Sequence, residues 1–327
     1  MFKPISNSCM KYLVFMALAI LVISACKPKG TGNEKLYTIA YNIHIPDTTK
    51  DDWEIIHMNF DGSGKKNIIN NDDVAWTYYA YKDRLFFISD RDTAYRHFFL
   101  YETDTDGNNV RKVSDLRLED SWMSSRNNGK EMVVSARPDR YTRLQLFIVN
   151  TEDGTYKQLT NDTAAFYRDP CFSPDGKQIV VSYKKNKRDR ETPEELYLMN
   201  ADGSNMRQLT HYPMDNPSAK EYGYKAGSAK WHPTENFISY VSKQDGKNSI
   251  FAITPDGTRQ WKLVDNPKSE GWHDWSSDGK WLTYNGSDAA ESRYDIFLLN
   301  WETKEVKQLT DSTYKSQLAP VFLEKLK

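Results

Sequence analysis

Short apolar runs separated by tight-turn dipeptides recur along the chain, and residues 169–210 show the pattern most clearly. Apolar side chains run almost uninterrupted through Gln178–Tyr183 and alternate with polar ones through Glu195–Asn200, which is typical of sheets packed on both faces. Asp-Gly dipeptides at Asp175 and Asp202 fit hairpin turns, because glycine tolerates a positive φ. The pattern predicts four successive strands: Asp169–Ser173, Gln178–Tyr183, Glu195–Asn200 and Met206–Thr210.

This four-strand unit is repeated along the chain. Most copies carry an Asp-Gly turn followed about six residues later by Leu-Thr or a similar pair, and the last copy has Glu302-Thr-Lys instead of Asp-Gly. The equivalent apolar positions are separated by 45, 46, 50, 54 and 46 residues: Ile68, Val113, Leu159, Leu209, Leu263 and Leu309. A repeat of this length built from short strands is typical of propeller blades.

The two ends of the repeat region complement each other. The N-terminal copy has second, third and fourth strands at Leu36–Ile43, Trp53–Asn59 and Lys65–Ile69 but no first strand. Gln317–Phe322 aligns with a first strand and has no second strand after it. We therefore predict an all-β fold, a six-bladed β-propeller over residues 36–327 whose first blade is closed by the C-terminal strand. Closure of the ring removes open sheet edges.

Several segments resemble the TolB-type propeller repeat. They are PCFSPDGKQIVVSY from Pro170, LYLMNADGSNMRQLT from Leu196, WSSDGKWLTY from Trp275 and IFLLNWETKEVKQLT from Ile296. The resemblance covers nearly the whole of residues 36–327. It implies a WD-repeat-like six-bladed propeller and a role in the bacterial cell envelope.

The first 25 residues predict a secretory signal. Lys3 and Lys11 precede an apolar run, Tyr12–Ala25, that is shorter than the roughly 20 residues of a membrane-spanning helix. The run ends in Ile-Ser-Ala-Cys26, which resembles the bacterial lipobox. The resemblance implies that Cys26 becomes an acylated N-terminus bearing palmitate or a similar chain, with residues 26–35 as a tether. The protein is then expected at the outer membrane, facing the periplasm or the surface; an ordinary signal with a chance cysteine is the alternative.

Charge and cysteine content limit the kinds of partner and bond that the chain is expected to form. The formal net charge is −1, whereas a general nucleic-acid binder is normally basic, so no nucleic-acid partner is expected. With Cys9 in the signal and Cys26 acylated, Cys171 alone remains and is predicted to be a small buried hydrophobe. We expect a monomer.

The candidate ligand-binding residues lie on the face that carries the long loops. Aligning the first strands places Trp76, Trp122 and Trp272 level with Asp169, Ser228 and Ala319, near the mouth of the central channel. Exposed indoles would stack against a sugar or a peptide side chain; the alternative is that they pack between blades. Polar neighbours complete the predicted rim, and the full candidate set is Trp76, Trp122, Tyr167, Arg168, Trp272, His273 and Asp274.

The sequence favours binding over catalysis. It has no Gly-x-Ser-x-Gly elbow, no phosphate-binding loop and no paired His or Cys metal motif. We predict a non-enzymatic binding or scaffold protein for a protein or glycan, without a cofactor, although acidic loops leave calcium or manganese open. A Tol-system-like envelope linker is one alternative.

The other alternative is a polysaccharide lyase, because oligogalacturonate lyases resemble TolB-type propellers. That resemblance implies a metal held by histidines on the loop face. His273 and His44 are the histidines that could serve here. Four arginines would clamp the acidic sugar: Arg96, Arg140, Arg143 and Arg168.

Overall fold

A computed structural model of the chain describes residues 36–46, 51–189, 191–213, 215–244, 246–264, 268–288 and 290–325. The predicted signal, Cys26 and the tether lie outside these ranges. The strands of the first half are β1 (Tyr37–Pro46), β2 (Asp51–Asn59), β3 (Lys66–Asn67), β4 (Ala75–Tyr81), β5 (Arg84–Ser89), β6 (Phe99–Thr103), β7 (Arg111–Lys112), β8 (Ser124–Arg126), β9 (Glu131–Ala136), β10 (Gln145–Asn150), β11 (Tyr156–Gln158) and β12 (Phe166–Phe172).

The second half continues the same pattern and adds one short helix. Its elements are β13 (Gln178–Lys184), β14 (Glu195–Asn200), β15 (Arg207–Gln208), α1 (Pro217–Tyr222), β16 (Gly227–Trp231), β17 (Ile238–Ser242), β18 (Ser249–Ile253), β19 (Gln260–Lys262), β20 (Ser269–Trp275), β21 (Trp281–Ser287), β22 (Tyr294–Asn300), β23 (Val306–Gln308) and β24 (Gln317–Glu324).

The strands form six antiparallel sheets of four strands each, so the predicted six-bladed propeller is confirmed. The first blade has the order β24-β1-β2-β3, and the C-terminal strand therefore closes it as predicted. Phe322 pairs with Ile39 and Val321 with Ala40. Val321 is fully buried, which anchors the closing strand in the core.

The first strand of each blade lies innermost. These strands contact their counterparts in neighbouring blades, for instance β24 with β4 and β20, and β12 with β8 and β16. They therefore surround the central channel. The remaining strands carry the apolar faces that pack blade against blade, where Phe86, Tyr240 and Tyr284 are almost completely buried.

Polar side chains near the ends of the second strands join each blade to the next. Asn42 donates to Thr77 O at 3.1 Å and accepts from Thr77 N at 2.8 Å. Equivalent bonds join other blades: Ser135 Oγ to Tyr167 O at 2.9 Å, Ser182 Oγ to Ala226 O at 2.6 Å, and Ala319 N to Asn285 Oδ1 at 3.3 Å. These bonds satisfy the backbone of the inner strands where the sheet ladders do not reach it.

Glu54 in β2 makes the fold sensitive to pH. Its side chain is 3% exposed, Oε1 accepts from Asn71 N at 3.0 Å, and Oε2 is buried without a hydrogen bond from the described residues. Burial raises the pKa of Glu54 to about 8. The folded chain therefore holds a proton that the unfolded chain releases near its ordinary pKa.

Replacing Glu54 should alter how stability depends on pH. Because the folded-state pKa is raised, the stabilising contribution of the proton is complete below about pH 4.5 and is lost as pH rises through about 8. At about 1.4 kcal/mol per pKa unit, the loss is on the order of a few kcal/mol. Glu54→Gln should thus be more stable than the wild type at pH 9 and similar to it at pH 5, as measured by urea unfolding. Parallel pH profiles for the two proteins would contradict this.

Candidate functional site

The central channel opens into a cavity at each end. The turn-side mouth, of about 640 Å³, is ringed by the short turns between first and second strands and reaches inward to Lys230 and Asp274. The loop-side mouth, of about 290 Å³, is surrounded by the long connections on the other face. The side chains that give the loop-side mouth its chemistry are those of Arg168, Asp169, Glu194, Lys225, Asn248, Trp272, Asn285 and Tyr294.

The loop-side mouth combines aromatic surface with charges of both signs. Trp272 and Tyr294 are half-buried, so each keeps part of its ring accessible. The neighbouring Asp169 carboxylate raises the pKa of Arg168, and burial raises the pKa of Glu194. Lys225 is exposed. The mouth can therefore stack on a ring and bond both to an acidic and to a hydroxyl-bearing group.

Asp169 holds this mouth together. Its Oδ1 accepts from Trp122 N at 3.1 Å and from Ser121 Oγ at 3.2 Å, and its Oδ2 accepts from Ser228 N at 2.9 Å. One carboxylate thus joins the segment that leads into β8 of the third blade to the inner strands of the fourth and fifth blades. Asp169 also has φ of 54°, a conformation that Asp tolerates better than most residues, at a bulge where pairing shifts between Arg168 and Cys171.

The predicted rim of three indoles is not formed. Trp76 is 7% exposed, with its ring centroid 5.5 Å from that of Trp53. Trp122 is 2% exposed and packs on Tyr78 at 5.2 Å. Neither is exposed at the rim: Trp76 packs in the core, whereas Trp122 lies between Tyr78 of the second blade and Lys230 of the fifth. Of the three, only Trp272 lines the loop-side mouth.

The cross-strand pairs correct the predicted alignment of Trp76. Tyr79 pairs with Phe86, and tracing this register across β5, β6 and β7 makes Thr77 the residue level with Trp122 and Asp169. The sequence alignment was therefore shifted by one residue in the second blade. Trp76 is thus level with Arg168 rather than with Trp122 and Asp169.

The structure does not bring the four predicted polar rim residues together either. Tyr167 is buried, its ring centroid is 5.0 Å from that of Tyr183, and burial raises its pKa to about 12. His273 is fully buried with Nε2 2.7 Å from Ser239 Oγ, and burial lowers its pKa to about 3, so it is neutral. Asp274 lies at the turn-side mouth, where it accepts from Phe322 N at 3.0 Å. Of the four predicted polar rim residues, only Arg168 lines the loop-side mouth.

The turn-side mouth has a charged floor. The ammonium group of Lys230 lies 3.5 Å from Asp274 Oδ1 and 3.9 Å from the centre of the Trp122 ring. Burial raises the pKa of Asp274, and the side chain of Lys230 is only 6% exposed. Cys171 lines the same cavity and is 8% exposed, so the prediction of a buried cysteine is confirmed.

Sequence reasoning predicted binding on the long-loop face, but six of the eight side chains of this mouth were not among the candidates: Asp169, Glu194, Lys225, Asn248, Asn285 and Tyr294. Glu194, Lys225, Asn248 and Tyr294 each lie where a long connection meets a strand. These connections differ in length from blade to blade, so the repeat aligns none of the four with the others. The one signal that favoured this region was a general rule: binding residues usually lie on the loop face of a rigid scaffold.

Within the described ranges, no three His, Cys, Asp or Glu side chains come together as metal ligands. The same residues contain no helix that is long and apolar enough to cross a membrane.

Comparison with known proteins identifies the family. Residues 79–321 match the TolB beta propeller domain. The chain belongs to the TolB beta-propeller family. The resemblance predicted from the repeat segments is thereby confirmed.

Solved structures agree on the fold of this TolB-type propeller. TolB from Acinetobacter baumannii superposes with a TM-score of 0.67 and 15% identity, over 87% of this chain and 66% of that one. Oligogalacturonate lyase in complex with manganese superposes with a TM-score of 0.50 and 16% identity, over 79% and 70%. At these identities the likeness shows the fold alone.

One relative matches in sequence over a shorter stretch. Dipeptidyl-peptidase 5 of Porphyromonas endodontalis is 30% identical over 114 residues, which is 35% of this chain and 15% of that protein. The chain thus spans a small part of this relative's length.

Proposed function

We propose that this TolB-type propeller is a non-enzymatic binding or scaffold protein that holds part of a protein or glycan at its loop-side mouth. The observation that carries the proposal is the convergence of Trp272, Tyr294, Arg168, Lys225 and Glu194 on one cavity at the end of the channel. Rings and charges placed together on a rigid scaffold are typical of ligand sites.

The size of the mouth limits its occupant. A volume of about 290 Å³ is close to the lower end, roughly 300 Å³, of the range for ligand pockets. It admits one sugar ring or one or two peptide side chains rather than a folded surface. A planar ring against Trp272, with an acidic group toward Arg168, fits the chemistry of the lining.

The proposal also covers the location of the protein in the cell. We place the protein in the bacterial cell envelope, anchored by acylated Cys26, with the tether holding the propeller near the membrane. Several acyl chains hold far more firmly than one, since each buried methylene adds about 0.8 kcal/mol. Membrane fractionation of the full chain and of Cys26→Ser tests the anchor; equal recovery of both in the membrane fraction would disprove it.

Substitutions at the loop-side mouth should weaken ligand capture. The probe is a panel of soluble envelope glycans and envelope-derived peptides, presented to the chain from residue 27 onward. Trp272→Ala removes the stacking surface and Arg168→Gln the guanidinium, so each should weaken the best binder about 10- to 100-fold, a change of about 1.4 to 2.7 kcal/mol.

Trp261→Ala is the matched control for this experiment. Trp261 is a half-buried tryptophan on β19 that does not line the loop-side mouth. Binding that is unaffected by Trp272→Ala and Arg168→Gln, or equally weakened by Trp261→Ala, would contradict the proposed site.

The position of His273 does not support the alternative function as a polysaccharide lyase. His273 is fully buried against Ser239 and neutral, so it does not face the loop-side mouth. A Tol-system-like linker differs from the proposal in its partner alone, and crosslinking in intact cells would separate the two.

A further inference from the structure

Two arginines clamp one buried glutamate on the loop face of the third blade. Glu119 is 7% exposed. Its Oε1 accepts from Arg137 Nε at 2.6 Å and from Arg143 Nε at 3.0 Å, and its Oε2 accepts from Arg143 Nη2 at 2.7 Å. These charge-assisted bonds lower the pKa of Glu119 and fix the orientation of both guanidinium groups.

A third arginine lies beside this clamp. Leu118 and Ala136 form an isolated antiparallel bridge. On one side of it Arg137 N donates to Arg117 O at 3.0 Å. On the other side Glu119 N donates to Ser135 O at 3.0 Å. Arg117 and Arg137 are therefore directly opposite each other, with their side chains on the same face of the pair. Like charges in this position repel each other.

Within the described part of the chain, Arg117 forms no ion pair of its own, and the charge of Glu119 offsets only part of the repulsion. Its Nε is buried without a hydrogen bond from the described residues. Burial and the charge of Arg137 lower the pKa of Arg117. Two acidic residues close to these arginines in sequence bond elsewhere: Asp120 accepts from Tyr78 Oη at 2.5 Å, and Asp139 accepts from Tyr141 N at 2.6 Å and Thr142 N at 2.7 Å.

Three guanidinium groups thus share one carboxylate, which leaves an excess of two positive charges. A crowded arginine set costs folding energy unless an anion joins it, because the groups are partly removed from water. By contrast, Glu102 on β6 of the second blade binds Arg84 and Arg111, and Arg111 also donates to Thr151 O at 2.6 Å. An arginine pair can therefore be fully engaged in this same fold.

We propose that Arg117, Arg137 and Arg143 form an oxyanion-binding site for a phosphate or carboxylate group. Glu119 holds Arg137 and Arg143 in place before the anion arrives, which reduces the entropy lost on binding. Arg117 supplies unused donors, and guanidinium groups match the oxygen spacing of both anions. None of the three arginines lines the loop-side mouth, so this site is separate from the one in the proposed function.

Calorimetry on the chain from residue 27 onward tests the site. The probes are inorganic phosphate, sulfate and D-galacturonate, each titrated at fixed ionic strength in chloride so that general screening is constant. We expect saturable binding of one anion per chain, weakened at least tenfold by Arg117→Gln and unchanged by the matched control Arg111→Gln. Tighter binding of phosphate would show that the site takes a phosphate group, and tighter binding of galacturonate would show that it takes a carboxylate.

Stability measurements separate binding from a structural role. In chloride alone, Arg117→Gln should raise the midpoint of thermal unfolding, because it relieves repulsion from Arg137, and it should abolish the further rise that phosphate or galacturonate gives the wild type. A lower midpoint, a non-saturable response, or equal effects of Arg117→Gln and Arg111→Gln would overturn the proposal. Trp272→Ala should leave anion binding intact, so failure of the loop-side site would be seen separately.

Discussion

Val321→Asp should prevent the chain from folding into a closed ring. Val321 is fully buried on β24, where it pairs with Ala40 and lies between the inner strands of the neighbouring blades. An unpaired carboxylate at this position costs several kcal/mol, or forces the strand out of the sheet. Because whole domains are stable by only about 5–15 kcal/mol, one such change is expected to remove most of the stability.

Circular dichroism during urea unfolding and limited proteolysis measure this effect. The matched control is Val306→Asp, since Val306 is 43% exposed on the outermost strand β23 and its change should cost less than about 0.5 kcal/mol. A Val321→Asp protein that unfolds at the wild-type urea concentration, or is no more sensitive to protease than Val306→Asp, would show that closure by β24 does not hold the ring together.

The repeat could be predicted from sequence because its signals are local. Asp-Gly turns set the hairpins, and the predicted strand Glu195–Asn200 has the same limits as β14. The closing strand followed from a mismatch between the ends, and Gln317–Phe322 lies within β24, Gln317–Glu324. Local turn chemistry and a fixed repeat length were sufficient for the architecture.

The channel could not be predicted in the same way, because its inner strands contain bulges. Pairing shifts between Thr77 and Tyr79 in β4 but between Glu270 and His273 in β20, so the irregularity falls at different places in the repeat. Each bulge changes which side chains face the channel. Such shifts limit the use of sequence alignment for residues beside the channel, and the predicted alignment of Trp76 was wrong by one position.

The role of Asp169 could not be predicted either. The sequence placed it at the start of a strand, whereas β12 begins at Phe166 and Asp169 occupies the bulge within it. The donors to its carboxylate are 47 to 59 residues away in the chain. No local pattern carries such contacts, so only the assembled ring reveals them.

Asp169→Ala should cost about 3–5 kcal/mol of folding stability, since it leaves the buried donors Trp122 N and Ser228 N without an acceptor at about 1–3 kcal/mol each. Alanine also tolerates the φ of 54° less well than Asp. Asp169→Asn keeps one acceptor oxygen but turns an amide toward a backbone donor, so an intermediate loss is expected. Urea unfolding of the three proteins at pH 7 gives the order.

Asp175→Ala is the control for the loss of a carboxylate. Asp175 accepts from Ser173 Oγ at 2.7 Å and Lys177 N at 3.1 Å within a single exposed turn, so its removal should cost at most about 1 kcal/mol. If Asp169→Ala costs no more than Asp175→Ala, the carboxylate does not join the blades. If it costs more while Arg168 still binds ligand normally, Asp169 stabilises the ring without shaping the loop-side mouth. We expect both stability and binding to fall, because Asp169 fixes the strand that presents Arg168.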